Sequence, residues 1–292
     1  MPNLFGRDVP ADEGVATVRA VLASPIRFLD TANGYSGGES ERRIGRAIAE
    51  AGGLPPDMLL ATKVDPSGRD YSGDRVRTSV AESRARLGVE TLPLVHLHDP
   101  ENFPFAEITA PGGALETLVA LRDAGEVGAI GLAGGPVPEM ARYLDLGVFD
   151  VLLVHNRWTL VDRSAGPLLD AAAERGMGVV NAAVHGGGIL ATGVTGEGPA
   201  RYGYRTAPPE VVAAVDAMDR VCRDHGTDLA TAALQFSLRE PRVDATVVGM
   251  SRPARVAQTV AAASVELPDA LFDDLDGLLP PPHAWLDAGW GR

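Results

Sequence analysis

Four residues of proton-handling type lie at or near the ends of short apolar runs. Asp30 closes "FLD", Lys63 closes "LLATK" and His98 closes "LVHLH", while Tyr35 follows Asp30 by five positions. A carboxylate at the end of a buried strand is costly unless something pairs with it, so Asp30 needs a partner. Taken singly, these are a capped acid, a solvated lysine and a satisfied core histidine. Their shared place at the ends of strands favours one common site. His96 and His98 are two apart, so they fall on one face of a strand. With Asp99, His155 and His185 they also offer a metal-ligand set. A metal-dependent barrel hydrolase using His96 and His98 is therefore one alternative.

Elements that could hold these residues alternate along the chain. The apolar runs predict strands at Ile26–Asp30, Met58–Lys63, Leu92–His98, Val127–Leu132, Val148–Val154, Gly178–Ala182 and Val243–Val248. Apolar spacing near 3.6, with Gly or Pro at the ends, predicts helices at Glu39–Ala51, Ser72–Leu87, Gly113–Ala124, Val137–Leu146, Ser164–Arg175, Pro209–Asp224, Leu229–Arg239 and Pro253–Ala263, followed by a short apolar stretch near Leu271–Leu279. Such alternation implies parallel βαβ units, and seven of them point to an α/β fold of the (β/α)8 TIM-barrel kind, a single domain over residues 1–292. A further helix pattern, "DEGVATVRAVLAS", precedes the first clear strand. The stretch "MPNLFGRDVP" before it is a poor strand, so the first barrel strand is expected to be degenerate or missing. Active sites of such barrels lie at the C-terminal ends of the strands, where Asp30, Lys63 and His98 are expected.

Composition narrows the function classes. The 292 residues are 45% hydrophobic and 22% charged, ordinary for a soluble globular chain. The net charge of −13, from 26 basic and 39 acidic residues, argues against a nucleic-acid footprint. Cys222 is the single cysteine, so no internal disulfide forms, in keeping with a reducing cytoplasm. The N-terminal segment has no basic-then-apolar signal-peptide pattern. No apolar run approaches the roughly 18 residues that would cross a membrane. Nothing marks an oligomer interface.

The motifs "FLDTANGY…GESERRIG", "LLATKV" and "LVHLHDP" resemble those of the aldo-keto reductases, and the resemblance covers nearly the whole chain. The segments "NRWTLVDRSAGPLLDAAAERGMGVVNAAV" and "GGGILATG" are similar to the branch holding aldose (L-fucose, D-threo-aldose) 1-dehydrogenases and pyridoxal 4-dehydrogenases. The resemblance implies an NAD(P)-dependent oxidoreductase that moves hydride between nicotinamide and a carbonyl or hydroxyl carbon of a sugar, aldehyde or ketone. It implies Tyr35 as the acid or base at the substrate oxygen and His98 as the residue orienting that oxygen. It also implies Lys63 as the ammonium that lowers the Tyr35 pKa from about 10, and Asp30 as its counter-ion. His96 would then sit one layer deeper. The "GGESE" segment is expected to cap the next helix and fix the turn that carries Tyr35.

The cofactor half departs from the family pattern. Ala133 and Gly134 stand where relatives often carry Ser-Asn to grip the nicotinamide carboxamide. His155 stands at a frequent glutamine position and, with Asn156, is the replacement candidate. "NAAVHGGG" lacks a ring to stack on the nicotinamide, and His185 is the nearest. "GMSRPAR" follows the last strand and opens a helix whose N-terminus attracts anions. Gly249, Ser251, Arg252 and Arg255 are thus candidates for a ribose 2′-phosphate, favouring NADP(H) over NAD(H), although Thr259 replaces a usual asparagine. The Gly-rich stretch Gly186–Gly203 is a candidate cover for the pyrophosphate. Trp158, Tyr71, Phe103 and either Trp285 or Trp290 are candidate walls of the substrate pocket. The missing carboxamide grip and stacking ring leave one more alternative, a non-catalytic NADP(H)-binding regulatory protein.

Overall fold

The computed structural model describes residues 9–194 and 199–289. Among them the strands are β1 Phe28–Asp30, β2 Leu59–Val64, β3 Leu92–His98, β4 Val127–Gly134, β5 Val151–His155, β6 Gly178–Ala182, β7 Arg201–Tyr202, β8 Arg205–Thr206 and β9 Ala245–Val247. The helices are α1 Ala11–Leu22, α2 Glu39–Glu50, α3 Gly73–Leu87, α4 Phe105–Ile108, α5 Ala114–Asp123, α6 Val137–Leu144, α7 Gly166–Glu174, α8 Ile189–Thr192, α9 Pro209–Asp224, α10 Leu229–Leu238, α11 Pro253–Ala263 and α12 Asp269–Asp276. This is the βα alternation of the (β/α)8 barrel class. Residues 1–8 of "MPNLFGRDVP", where the first strand is expected to be degenerate or missing, lie outside the described residues.

The chain divides into two compact units. The first is Met1–Ala133, Leu146–Val151 and Gly249–Val260, and the second is Gly134–Asp145, Leu152–Val248 and Ala261–Arg292. In the first, β1 to β4 lie side by side in chain order and run parallel. Leu60, Leu94, Val95, Leu97, Ile130 and Leu132 are all buried. Strands covered on both faces read as near-continuous apolar runs, which is why these were visible in the sequence. The register sets Asp30 beside Ala61, Lys63 beside His96 and His98 beside Ala133. Cross-strand neighbours and residues two apart share a face, so Asp30, Lys63, His96 and His98 point to one side of the sheet.

Close packing behind that sheet depends on glycine at two points. A Cβ on Gly45 of α2 would stand 2.0 Å from the Arg86 carbonyl oxygen, so α2 and α3 approach there only without a side chain. A Cβ on Gly131 of β4 would stand 2.1 Å from Nδ1 of His96. The GGESE segment differs from expectation. Gly38, at φ 87°, occupies the N-cap of α2 and no side chain caps the helix. Ser40 instead bonds the Thr31 hydroxyl at 2.8 Å. Glu41 is fully buried, accepting from Thr62 Oγ1 at 2.7 Å and from Arg86 at 3.1 Å. A buried carboxylate needs such partners, so Glu41 serves the packing of α2 on β2 and α3 rather than a cap.

In the second unit β6 and β9 pair in parallel, with Asn181 beside Thr246. β7 and β8 form a short antiparallel ribbon. Val211, Val215, Met218 and Cys222 of α9 pack with Leu229 and Ala233 of α10 and Leu271 and Leu275 of α12 in one buried cluster. Arg157 holds Asp287 near the C-terminus through a buried ion pair of 2.8 Å.

Strand and helix positions match the sequence expectations to within a few residues. β5 begins at Val151 rather than Val148. Just before it, Asp150 accepts from Ile130 N through its side chain and donates its own N–H to Ile130 O. The apolar stretch near Leu271–Leu279 overlaps the last helix, Asp269–Asp276, which lies between Pro268 and Gly277.

Candidate active site

Lys63 and Asp30 form a buried ion pair. Nζ of Lys63 donates to Asp30 Oδ2 at 2.6 Å and to the Thr31 carbonyl at 2.7 Å. It also lies 4.9 Å from the centre of the Tyr35 ring. Burial alone would discharge this amine, but the Asp30 carboxylate and Tyr35 outweigh it and hold the Lys63 pKa above its ordinary value. Lys63 is therefore a fixed positive charge at the ends of β1 and β2.

Tyr35 opens a turn of unusual backbone. Ser36, Gly37 and Gly38 all have positive φ, at 52°, 64° and 87°, before α2 starts at Glu39. As a whole residue Tyr35 leaves 42% of its surface open to solvent. Its other surroundings are Lys63 and His98, whose ring meets it edge-on at 5.8 Å. Its pKa is pushed up to about 12, chiefly by burial, with Asp30 and Asp99 adding to the rise and Lys63 opposing it. Lys63 thus acts in the expected direction but does not win, because the charged phenolate loses more hydration than the single ammonium restores. Tyr35 is therefore a neutral phenol near neutral pH.

His98 is held from two sides. Its Nδ1 lies 2.6 Å from Asp65 Oδ1, and its Nε2 is 3.9 Å from Asp99 Oδ2. Burial lowers its pKa, but the Asp65 hydrogen bond and the Asp99 and Asp65 charges outweigh burial and raise it overall. Beneath it Tyr71 is buried. The Tyr71 hydroxyl accepts from the His98 N–H at 3.0 Å and shares its proton between the carbonyls of Val64 and His98. Tyr71 therefore braces His98 from behind rather than facing open space. Phe103, half-buried, packs edge-on against it at 5.2 Å.

His96 sits beside Lys63, fully buried. Neither ring nitrogen has a partner among the described residues. Burial, then the Lys63 and His98 charges, push its pKa well below the ordinary value, so it is neutral. Among the described residues no group of three or more His, Cys, Asp or Glu is placed to hold a metal ion.

The other sequence candidates are placed as follows. In the second unit Asn156 is buried, with φ 59°, and its Nδ2 lies 3.1 Å from His155 Nδ1. Its Oδ1 is buried with no partner among the described residues. Trp158 packs on Phe236 at 5.8 Å, with the Arg242 guanidinium 4.9 Å from its ring. His185 approaches the Ala230 carbonyl at 3.2 Å, and Trp285 donates to the Pro280 carbonyl. Trp290 and part of the Gly186–Gly203 stretch (195–198) lie outside the described residues. In the first unit Gly249, Ser251, Arg252 and Arg255 are exposed at the start of α11.

The structure brings Asp30, Tyr35, Lys63 and His98 together and adds Asp65, which the sequence reading did not single out. Asp65 lies two residues after Lys63, and that period-two spacing was the available signal.

A fixed ammonium, a neutral phenol and a carboxylate-paired imidazole at the strand ends of an α/β barrel are chemically suited to moving a proton at a substrate oxygen. The sequence pattern of the Aldo/keto reductase family matches residues 3–280, and the chain belongs to that family. It is an oxidoreductase, and members of its family use nicotinamide cofactors. It is 32% identical to the D-threo-aldose 1-dehydrogenase of a Pseudomonas species, over 94% of this chain and 89% of that protein. It is 28% identical to the pyridoxal 4-dehydrogenase of Microbacterium luteolum, over 90% and 88%. The fold matches an aldo-keto reductase of Bacillus halodurans with a TM-score of 0.78 at 21% identity, covering 97% of this chain and 92% of that one. Among the described residues no helix is long and apolar enough to cross a membrane.

Proposed function

We propose that this oxidoreductase interconverts a carbonyl and a hydroxyl on a small sugar, aldehyde or ketone, with NADP(H) favoured over NAD(H) and Tyr35 as the acid or base. The chain would work as one domain in the cytoplasm. The observation that carries the reading is the buried Lys63–Asp30 pair set beside Tyr35 and His98. The names of the relatives, an aldose dehydrogenase and a pyridoxal dehydrogenase, support sugars and aldehydes as substrates.

When bound, the nicotinamide supplies or accepts the hydride. The protein's own residues handle the proton and the geometry. In reduction the neutral Tyr35 phenol donates its proton to the substrate oxygen, and the Lys63 ammonium stabilises the phenolate that remains. In oxidation Tyr35 takes the hydroxyl proton as the phenolate, whose cost Lys63 reduces without cancelling the effect of burial. Asp30 keeps Lys63 charged throughout. His98 binds the same oxygen and directs the carbon.

The residues present suit the cofactor at two points. The buried, unpartnered Oδ1 of Asn156 suits an amide donor such as the carboxamide, with His155 beside it. The exposed start of α11, with Gly249, Ser251, Arg252 and Arg255, suits an anion. Phe103 is proposed as a substrate wall, with Tyr71 packed edge-on against it; Trp158 is proposed as a wall from the family resemblance alone. A panel of aldoses, aldehydes and ketones, followed by the absorbance of reduced nicotinamide with both nucleotides, tests the reading. Turnover that is unchanged in Tyr35→Phe would remove Tyr35 from the mechanism.

A further inference from the structure

We propose that Asp65 is a positioning residue that fixes the His98 tautomer, so that His98 offers the substrate a proton on Nε2 only as imidazolium and a lone pair there when neutral. This rests on the oxidoreductase reading above. One Asp65 oxygen lies 2.6 Å from His98 Nδ1, and the other accepts from the Gly34 N–H at 2.5 Å. Gly34 directly precedes Tyr35, so one carboxylate ties the imidazole to the turn that carries the phenol.

The tautomer follows from hydrogen-bond chemistry. Burial raises the Asp65 pKa, but its bonds to His98 and Gly34 outweigh that and hold it below the ordinary carboxylate value. Asp65 is then an ionised carboxylate, which can only accept. The 2.6 Å contact therefore needs the proton on Nδ1. A neutral imidazole carries one proton, so Nε2 is left as an acceptor, facing away from Asp65. Protonation adds an Nε2–H donor. A carbonyl oxygen needs a donor, whereas a hydroxyl can give its proton to an acceptor.

Asp65 is itself well fixed. Its N–H donates to Ser79 Oγ at 3.2 Å, and its carbonyl accepts from Arg75 Nε at 3.0 Å, both on α3. Arg75 also holds Asn33 Oδ1 at 2.9 Å, so α3 anchors both ends of the link. Only 14% of the Asp65 side chain and 15% of the His98 side chain are exposed. The groups facing His98 are Asp65 and Asp99, which favour its charge, and Lys63, which opposes it. Neutral His96 and the phenol of Tyr35 complete its surroundings.

Long-range ¹H–¹⁵N spectra of the histidine rings test this on the full chain, with His98 assigned by the loss of its signals in His98→Asn. The expected wild-type result is an Nδ1–H tautomer and a titration midpoint above the ordinary value of about 6.5. Asp65→Asn keeps an acceptor but removes the charge, and should lower the midpoint by about 1 unit or more. In Asp65→Ala the tautomer preference should also be lost. An Nε2–H tautomer in the wild type overturns the proposal without any variant, and so does an unmoved midpoint in Asp65→Asn. The second readout is the pH profile of kcat/KM for carbonyl reduction, whose alkaline limb should move with the ring midpoint. A limb that stays put while the midpoint moves overturns the catalytic use of the pair. Wild-type spectra as expected, with no turnover on any carbonyl, would uphold the Asp65–His98 pairing and count against the oxidoreductase reading instead.

Discussion

Lys63 Nζ lies 2.6 Å from Asp30 Oδ2, and the two side chains expose only 2% and 8% of their surface. Two ions so far from water stabilise the fold little as a pair, but removing one of them strands the other. Asp30→Leu should therefore cost about 3–5 kcal/mol in urea unfolding, and Lys63→Met a similar amount. The double variant, with no ion left unpaired, should recover most of that loss. Its turnover should not recover, because the ammonium beside Tyr35 is gone. Recovery of both stability and turnover in the double variant would show that the pair is only a packing device.

The role proposed for Tyr35 can be separated from its part in the structure. Tyr35→Phe keeps the ring and its edge contact with His98, so the Tm should change little, while turnover should fall by roughly 10²–10⁴-fold. Burial pushes the phenol up to about 12. The alkaline difference spectrum between wild type and Tyr35→Phe should accordingly show one tyrosine ionising later than a free phenol near 10. A phenolate band appearing below pH 10 would mean that Lys63 outweighs burial after all.

The Asp65–His98 pair should also leave a mark on stability. The His98 pKa is raised on folding, so its contribution is fully present below its unfolded value of about 6.5 and fades as pH rises through the folded value. The Asp65 pKa is lowered, so its contribution is present above about 3.9 and fades as pH falls through the folded value. The stability advantage of wild type over Asp65→Asn should therefore peak between roughly pH 4 and 6.5 and shrink on both sides. Urea midpoints measured across this range check it, and a flat difference would mean that the two groups do not interact.

Much of this was legible in the sequence, and what was not shares one cause. The strand ends carrying Asp30, Lys63 and His98 could be read because the strands are covered on both faces, and each run stops where polar residues begin. His96 could be placed one layer below His98 from its spacing of two. Asp65 has the same spacing from Lys63, yet its partner is 33 residues away, and only the pairing of β2 with β3 brings them together. Glu41, in the first turn of α2, read as part of a cap because its real partners, Thr62 and Arg86, are 21 and 45 residues distant. The upward shift of Tyr35 escaped for a similar reason. The sequence names the ammonium that favours the phenolate, whereas the desolvation that opposes it depends on three-dimensional packing.

The start of α11 should decide between the two nucleotides. Arg252 and Arg255 are exposed there beside Ser251, just after Gly249, at an end of the helix where the backbone N–H groups have no partner within the helix. A ribose 2′-phosphate would meet both the helix terminus and two guanidinium groups, whereas a 2′-hydroxyl would gain little from either. Arg252→Ala and Arg255→Ala should each weaken NADPH binding by roughly tenfold or more, the loss of one charge-assisted hydrogen bond, and leave NADH nearly unchanged. Because these charges are exposed, the preference for NADPH should also shrink as ionic strength rises. Fluorescence titration with both nucleotides at two salt concentrations measures all of this. If the variants weaken NADH and NADPH equally, the arginines contact a part of the nucleotide common to both, and the case for a 2′-phosphate site falls. If neither nucleotide is affected, they are ordinary solvated helix charges.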